Sequence, residues 1–154
     1  ERGINFPAKL FRISFAGELG WEVNTSFDDS APVYTALRDA GAKPFGMYAL
    51  NSMRIEKGYR SWKGDLSTDY SLLEGGMERF IRFDKPQDFV GKAALLSEKQ
   101  QGSKKQFVTL VVDAGDQDAP YMSPLFVGDE VVGETTSGDW GYRVNKSIAL
   151  GMLR

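Results

Sequence analysis

The chain has 154 residues, of which 42% are hydrophobic and 26% charged, as in folded globular domains and unlike disordered chains. Nineteen basic and 21 acidic residues give a formal charge of −2, which argues against electrostatic binding to nucleic acid. Because histidine and cysteine are both absent, a serine–histidine relay, a thiol nucleophile and thiolate metal sites are excluded. Acid–base chemistry would depend on Asp, Glu, Lys or Tyr. No apolar run approaches the roughly 18–20 residues that span a bilayer, so we expect no membrane segment.

The first half of the chain predicts a β-hairpin followed by two helices. Apolar and polar residues alternate over residues 10–15 and again over 21–24, which is typical of two strands around a short glycine-containing connection. Acidic residues from Asp28 onward precede an early proline and predict a helix start, and Gly41 predicts its end. Helical spacing of apolar residues over 46–57 predicts the second helix.

The second half predicts one further helix and a small sheet. We expect a short strand over 78–83 and a helix over 90–100 that Gly102 ends. Further strands are expected over residues 107–112, 125–127, 130–134 and 147–153. The predicted fold class is therefore α+β, with antiparallel strands and helices followed by a small, incomplete antiparallel β-barrel. The expected division is a partial α+β domain at 1–86, a helix and connection at 87–104, and the barrel at 105–154.

Two charged residues are candidates for ligand contacts. Glu22 stands on the second strand between apolar neighbours, where its two carboxylate oxygens suit an edge with paired N–H donors, such as a 2-amino-pyrimidinone ring. The alternative for Glu22 is a solvated strand face. Arg54 lies near the end of the second helix, where its guanidinium suits a bidentate carboxylate pair. The alternative for Arg54 is a surface ion pair or a contact with the helix C-terminus.

Aromatic residues and loop carboxylates form weaker candidates. Phe15, Trp21, Tyr59 and Trp62 have the planar rings that sandwich a heterocycle, although aromatic residues are more often part of a core. Asp65 and Asp69 could suggest acid–base chemistry or a metal site, but two loop carboxylates without further ligands are a weak signal. We therefore assign no catalytic residue and no metal site.

Six segments together resemble the folate-binding half of the glycine-cleavage T-protein (aminomethyltransferase) family. They occur in the family's order and cover essentially the whole chain. The sequences of residues 17–22 (GELGWE) and of the loop at 59–62 (YRSW) resemble dimethylglycine and sarcosine dehydrogenases more than the stand-alone T-protein. The segments are residues 14–22 (SFAGELGWE), 49–60 (ALNSMRIEKGYR), 73–76 (LEGG), 88–95 (DFVGKAAL), 135–138 (TTSG) and 146–149 (KSIA).

The resemblance implies a protein that binds tetrahydrofolate and transfers to it a one-carbon unit from an N-methyl or aminomethyl substrate. It implies that Glu22 holds the pterin's amino-pyrimidinone edge and that Phe15 stacks at a position where the family usually has tyrosine. It places Arg54 near the aminobenzoyl-glutamate end of folate, and Trp62 where the family often has a loop tyrosine.

The resemblance also implies that the 154 residues alone lack parts that the family's reaction requires. The family's catalytic aspartate lies in an N-terminal half, and FAD enters only through a further N-terminal domain, so we expect the isolated chain to be inactive and to bind folate weakly. The alternatives are a noncatalytic chain that acts through protein contacts and a folate-dependent demethylase with another methyl donor. Expected partners are folate, an N-methylated glycine in the full-length protein, and either a second copy or the N-terminal half. The lack of cysteine fits the cytoplasm, or the mitochondrial matrix in a eukaryote, and is equally compatible with secretion.

Overall fold

The computed structural model describes residues 5–115 and 117–154. The first four residues of the expected α+β domain therefore lie outside the described part. The elements in chain order are β1 Ala8–Phe11, β2 Glu22–Thr25, α1 Phe27–Asp39, α2 Met47–Glu56, a 3₁₀ turn Glu78–Phe80, α3 Lys92–Gln101, β3 Gln106–Val112, β4 Pro124–Val127, β5 Glu130–Gly141 and β6 Lys146–Leu153.

The two N-terminal strands form the predicted antiparallel hairpin, but with a longer connection than the sequence indicates. Pairing runs from Ala8 opposite Thr25 to Phe11 opposite Glu22. The Ile13 amide donates to the Phe11 carbonyl at 2.9 Å, which turns the backbone away from the ladder. The expected strand over 10–15 is therefore wrong beyond Phe11, and residues 12–21 form a loop.

The structure confirms the helices and the glycine residues predicted to end them, but α1 begins at Phe27 with Ser26 as its cap, before the acidic residues that the sequence indicated as its start. The Ser26 hydroxyl accepts from the Asp29 amide at the start of α1, which satisfies one of the amides left unpaired at a helix start. Gly41 follows α1 with φ of 100° and Gly58 follows α2 with φ of 63°, the left-handed backbone conformation that favours glycine after a helix. α3 ends at Gln101, directly before Gly102.

The expected strand over 78–83 is wrong. Glu78–Phe80 is a single 3₁₀ turn, in which the Phe80 amide donates to the Met77 carbonyl at 2.9 Å. The Ile81 amide donates to the Glu78 carbonyl at the same distance. Alternating residues alone do not make a strand, because a strand also requires a neighbour that accepts its backbone hydrogen bonds. Here those groups are satisfied locally instead.

The C-terminal part is an antiparallel sheet in the order β3-β6-β5-β4. β6 pairs with β3 from Leu153 opposite Gln106 to Ser147 opposite Val112. The predicted β4–β5 hairpin is present, with Gly128 in the turn at φ of 60°. Within the described residues the sheet has four strands and does not close on itself. The structure thus confirms the α+β class with an incomplete small barrel.

The buried core joins α2 to the C-terminal sheet. Ile55 of α2 packs with Phe107, Ile148, Leu150 and Met152, each at most 8% exposed. α1 contributes no buried residue, although the structure describes all of it. The longest helix has 13 residues, and no helix in the described ranges combines the length and apolarity that a membrane crossing requires.

Candidate functional site

An open cleft of about 410 Å³ lies between the loop after β1, the loop after α2 and the 3₁₀ turn. Its lining is mainly apolar and includes two arginines, which suits a partly apolar ligand that carries negative charge. The residues that line it are Ile13, Ser14, Phe15, Tyr59, Arg60, Met77, Arg79 and Phe80.

The two arginines of the cleft give it positive charge. Burial lowers the pKa of Arg60 from its ordinary value, and the nearby charge of Arg79 lowers it further. Arg60 donates to the carbonyls of Gly58 and Gly75 at 2.8 Å each, and its guanidinium lies 4.3 Å from the Phe107 ring centroid. The positive charge of Arg79 beside the half-buried Arg60 guanidinium produces a positive potential that a bound anion would relieve.

Of the four predicted contact residues, only Phe15 lines this cleft. Its side chain is 40% exposed. Glu22 begins β2 and is exposed. The lining of the cleft, within the described residues, does not include Glu22, Arg54 or Trp62. Phe15 lies within the loop that joins β1 to β2, and Glu22 directly follows that loop as the first residue of β2. Both are exposed, whereas Arg54 is buried.

Trp62 stands at the tip of a tight loop after α2. The Lys63 amide donates to the Leu66 carbonyl at 2.6 Å, and the Asp65 amide donates to the Ser61 carbonyl at 3.0 Å. These bonds close the loop while the Trp62 side chain stays 67% exposed. Large exposed aromatic surface on an ordered loop is more typical of binding surfaces than of loops without a ligand.

Arg54 is buried, with 4% of its surface exposed. Its Nε and one Nη2 hydrogen reach Asn51 Oδ1 at 3.0 and 2.7 Å, and the other Nη2 hydrogen reaches Ser137 Oγ at 2.7 Å. Nη1 donates to the Tyr59 carbonyl at 3.0 Å and to Asp65 Oδ2 at 2.5 Å. These contacts engage all five N–H groups of the guanidinium. A contact between Arg54 and folate stays a prediction, and it would require one of these bonds to break.

Asp65 is the carboxylate partner of Arg54 and is fully buried. Oδ1 accepts from the hydroxyls of Thr136 and Ser137 at 2.6 and 2.7 Å, and Oδ2 accepts from the Ser61 amide and hydroxyl at 2.7 and 2.9 Å. No buried side-chain nitrogen or oxygen in the described ranges lacks a hydrogen-bond partner. The pair is thus enclosed in a fully satisfied network, the condition under which buried charges are tolerated.

Sequence reasoning missed Arg60 and Arg79 as cleft residues and treated Asp65 as a weak acid–base or metal candidate. Within the part of the chain that the structure describes, no three acidic side chains come together as a metal site. A signal for Asp65 was present, because Arg54 lacks an opposite charge at helical spacing and Asp65 is the next carboxylate in the loop that follows α2. The partners on β5 lie more than 70 residues away and leave no local signal.

Fold and site together define an α+β protein with an open, positively charged cleft of the size that takes a heterocyclic anion. The sequence model described as "GCVT N-terminal domain" matches residues 3–85, and the one described as "Glycine cleavage T-protein C-terminal barrel domain" matches residues 105–154. The chain belongs to the glycine-cleavage T-protein family.

Curated relatives include two dehydrogenases and an aminomethyltransferase. Mitochondrial dimethylglycine dehydrogenase of Mus musculus is 40% identical over 153 residues, which are 97% of this chain and 18% of that protein. Mitochondrial sarcosine dehydrogenase of Mus musculus is 35% identical, over 99% of this chain and 17% of that protein. An aminomethyltransferase of Thermosynechococcus vestitus is 37% identical, over 96% of this chain and 40% of that protein.

A solved structure agrees in fold. The glycine cleavage system aminomethyltransferase T from Bartonella henselae superposes with a TM-score of 0.84 at 24% identity, over 94% of this chain and 41% of that chain. At this identity the likeness concerns the fold. The chain therefore spans less than a fifth of the dehydrogenases, and about two fifths of the aminomethyltransferases, that it matches.

Proposed function

We propose that this chain is a folate-binding portion of a dimethylglycine/sarcosine dehydrogenase-like or aminomethyltransferase protein, and that it holds tetrahydrofolate while a one-carbon unit is transferred to it. Membership of the T-protein family carries the proposal. The cleft supports it, because an aromatic side chain and two arginines stand at one opening. Reduced folate carries a planar amino-pyrimidinone ring at one end and a carboxylate tail at the other, so its ring matches the aromatic part of the lining and its tail matches the arginines.

The proposed pterin contact is Glu22. An ionised carboxylate accepts hydrogen bonds only, so its two oxygens match the adjacent N–H donors of the amino-pyrimidinone edge. Glu22 begins β2 directly after the loop that carries Phe15, so the proposed stacking ring and the proposed acceptor belong to one hairpin. The exposure of Glu22 leaves its oxygens accessible to a ligand.

The proposed tail contacts are cationic. Arg60 and Arg79 border the cleft that Phe15 lines, and their mutual repulsion is relieved by an anion. Trp62 supplies an accessible ring on the neighbouring loop. We propose that Arg54 contributes through the loop that carries Trp62, because its own donors are engaged within the chain.

The 154 residues are proposed to bind rather than to catalyse. The relatives that are named as enzymes match along 17–40% of their own length, so the chemistry of the whole protein includes parts that this match does not cover. The proposed one-carbon donor is an N-methylated glycine, and the proposed compartment in a eukaryote is the mitochondrial matrix, where two relatives are named as mitochondrial. We further propose that the folate-binding part ends at residue 86, that residues 87–104 form a helix and connection, and that the barrel begins at residue 105.

A noncatalytic chain that acts through protein contacts is the second candidate. It is favoured by large exposed apolar side chains in the N-terminal half, among them Trp21 at 58%, Phe27 at 94% and Tyr48 at 93%. Contiguous exposed apolar surface commonly marks a protein interface. A chain of this second kind would show no folate binding that depends on Glu22.

The test is a titration with 5-formyltetrahydrofolate, a stable reduced folate, followed by ligand-observed NMR because this method detects weak binding. Glu22→Gln removes one acceptor and presents an N–H₂ group to the pterin donors. We expect affinity to fall about tenfold, or ~1.4 kcal/mol. Two fragments locate the contact: 6-methyltetrahydropterin is expected to lose affinity in the variant, and 4-aminobenzoyl-glutamate is expected to keep it.

The matched control is Glu130→Gln, which makes the same change in an exposed carboxylate at the start of β5. It is expected to bind all three probes like the unmodified chain. Equal affinity of Glu22→Gln and Glu130→Gln for 5-formyltetrahydrofolate would remove Glu22 from the site. No binding of any folate by the unmodified chain would favour the second candidate.

A further inference from the structure

The loop that carries Trp62 is held from inside the protein. Ser61, the residue before Trp62, donates its amide and its hydroxyl to Asp65 Oδ2. Trp62 and Leu66 form an isolated bridge, and the Leu66 amide donates to the Ser61 carbonyl at 3.1 Å. The loop therefore closes around the Asp65 carboxylate, with the indole outside and the charge inside.

The same carboxylate is fixed to two other elements. Its Oδ1 binds hydroxyls of Thr136 and Ser137 on β5, and its Oδ2 binds the guanidinium of Arg54 on α2. A displacement of Asp65 thus requires charge-assisted bonds to α2 and hydroxyl bonds to β5 to break together.

The tip of this loop carries two unfavourable features. Trp62 leaves 67% of its surface in water, and Lys63 has φ of 70°, a left-handed conformation that non-glycine residues rarely adopt. Such local cost persists where the surrounding structure over-determines the conformation, and it is frequent at ligand sites. The network around Asp65 supplies that constraint.

We propose that Asp65, held by Arg54, is a positioning residue that sets the exposed indole of Trp62 for stacking against the bound ligand. The inference rests on the proposed folate site, since Trp62 is one of its contacts. Neither Asp65 nor Arg54 touches the ligand in this proposal. Their effect on binding passes through Ser61 to the neighbouring Trp62.

The first test needs no ligand. The full chain is labelled with 5-fluorotryptophan, and its three tryptophans are assigned by single Trp→Phe variants. Asp65→Asn keeps the shape of the side chain and removes its charge. We expect the Trp62 resonance to shift or broaden and the Trp21 resonance to stay in place. An unchanged Trp62 resonance would overturn the positioning role, whether or not folate binds.

The second test is a double-mutant cycle on the affinity for 5-formyltetrahydrofolate. Asp65→Asn is expected to weaken binding about tenfold when Trp62 is present and not at all in the Trp62→Ala background. Equal losses in both backgrounds would show that Asp65 acts by a general structural effect and would overturn the inference. If Trp62→Ala and Glu22→Gln both leave affinity unchanged, the proposed folate site fails, and the fluorine spectrum still decides the positioning role.

A milder variant covers the case in which Asp65→Asn does not fold. Ser61→Ala removes one hydroxyl bond to Asp65 and keeps the amide bond. It is expected to move the Trp62 resonance in the same direction as Asp65→Asn does. It is also expected to weaken binding about threefold when Trp62 is present and not at all in the Trp62→Ala background. Ser67→Ala is the matched control, since the Ser67 hydroxyl binds the exposed Asp69 and not Asp65. A Ser61→Ala spectrum identical to that of Ser67→Ala would contradict the proposal.

Discussion

Replacing Arg54 with methionine tests how much of the stability of this fold depends on one buried ion pair. Methionine keeps the length of the side chain and removes the cation. Asp65 then remains as a fully buried carboxylate with hydroxyl and amide donors but no opposite charge. The Tyr59 carbonyl and Asn51 Oδ1 also lose the donors that they receive from the guanidinium.

The expected cost follows from these losses. Removing one partner of a buried pair destabilises a protein by ~3–5 kcal/mol, and domains of this size have a free energy of unfolding of only ~5–15 kcal/mol. The hydrophobic core described here contains five buried residues, which favours the lower end of that range. Arg54→Met is therefore expected to remove about half of the stability. Arg54→Lys keeps the charge and loses the planar fork, so a smaller loss is expected.

The assay is urea unfolding followed by far-ultraviolet circular dichroism. With a slope of ~2 kcal/mol/M, the midpoint of Arg54→Met is expected about 1.5–2.5 M lower than that of the unmodified chain. Arg38→Met is the control, because Arg38 pairs with Asp39 while both side chains are more than half exposed. Such a pair contributes ~0–1 kcal/mol. Equal midpoints for the two variants would refute the claim that the buried network stabilises the fold.

Two further predictions concern the core. Ile55→Ala, at a side chain that is 1% exposed, is expected to destabilise the chain by ~2–5 kcal/mol in the same urea assay, and a loss below ~1 kcal/mol would mean that α2 does not anchor the sheet. Burial, followed by the charges of Glu134 and Asp69, raises the pKa of Tyr70 above its ordinary value. Because the folded chain then favours the protonated phenol, stability is complete below the unfolded pKa of about 10 and falls as pH rises through the higher folded pKa. Thermal melts of the unmodified chain and of Tyr70→Phe are compared from below about pH 10 upward. The melting temperature of the unmodified chain is expected to fall more with rising pH than that of Tyr70→Phe. Identical pH profiles would contradict the assigned cause.

The sequence predicted the elements whose signals are local. Gly41 follows α1, Gly58 follows α2, and the Gly128 turn joins β4 to β5, whereas the Ser26 cap of α1 was not predicted. The expected strand over 78–83 failed because alternation was read without a pairing partner. A strand forms only where a neighbouring segment takes up its backbone groups, and that neighbour is a property of the tertiary fold.

The candidate site was predicted only in part for the same reason. Family motifs drew attention to Phe15, Glu22 and Trp62, and the structure leaves all three accessible. The burial of Arg54 was not predictable from helix periodicity, because its hydroxyl partner Ser137 lies 83 residues away. The position of Arg79 at the cleft likewise depends on the 3₁₀ turn, which the sequence had indicated as a strand.

The most direct test of folate binding is a map of backbone amide shifts. The full chain is labelled with ¹⁵N, and 5-formyltetrahydrofolate is added stepwise while amide resonances are followed. We predict saturating shifts in the loop between β1 and β2, at Glu22, and in the loop around Trp62, with β3 and β6 unaffected. Shifts confined to the C-terminal sheet, or none at millimolar folate, would contradict the proposed site.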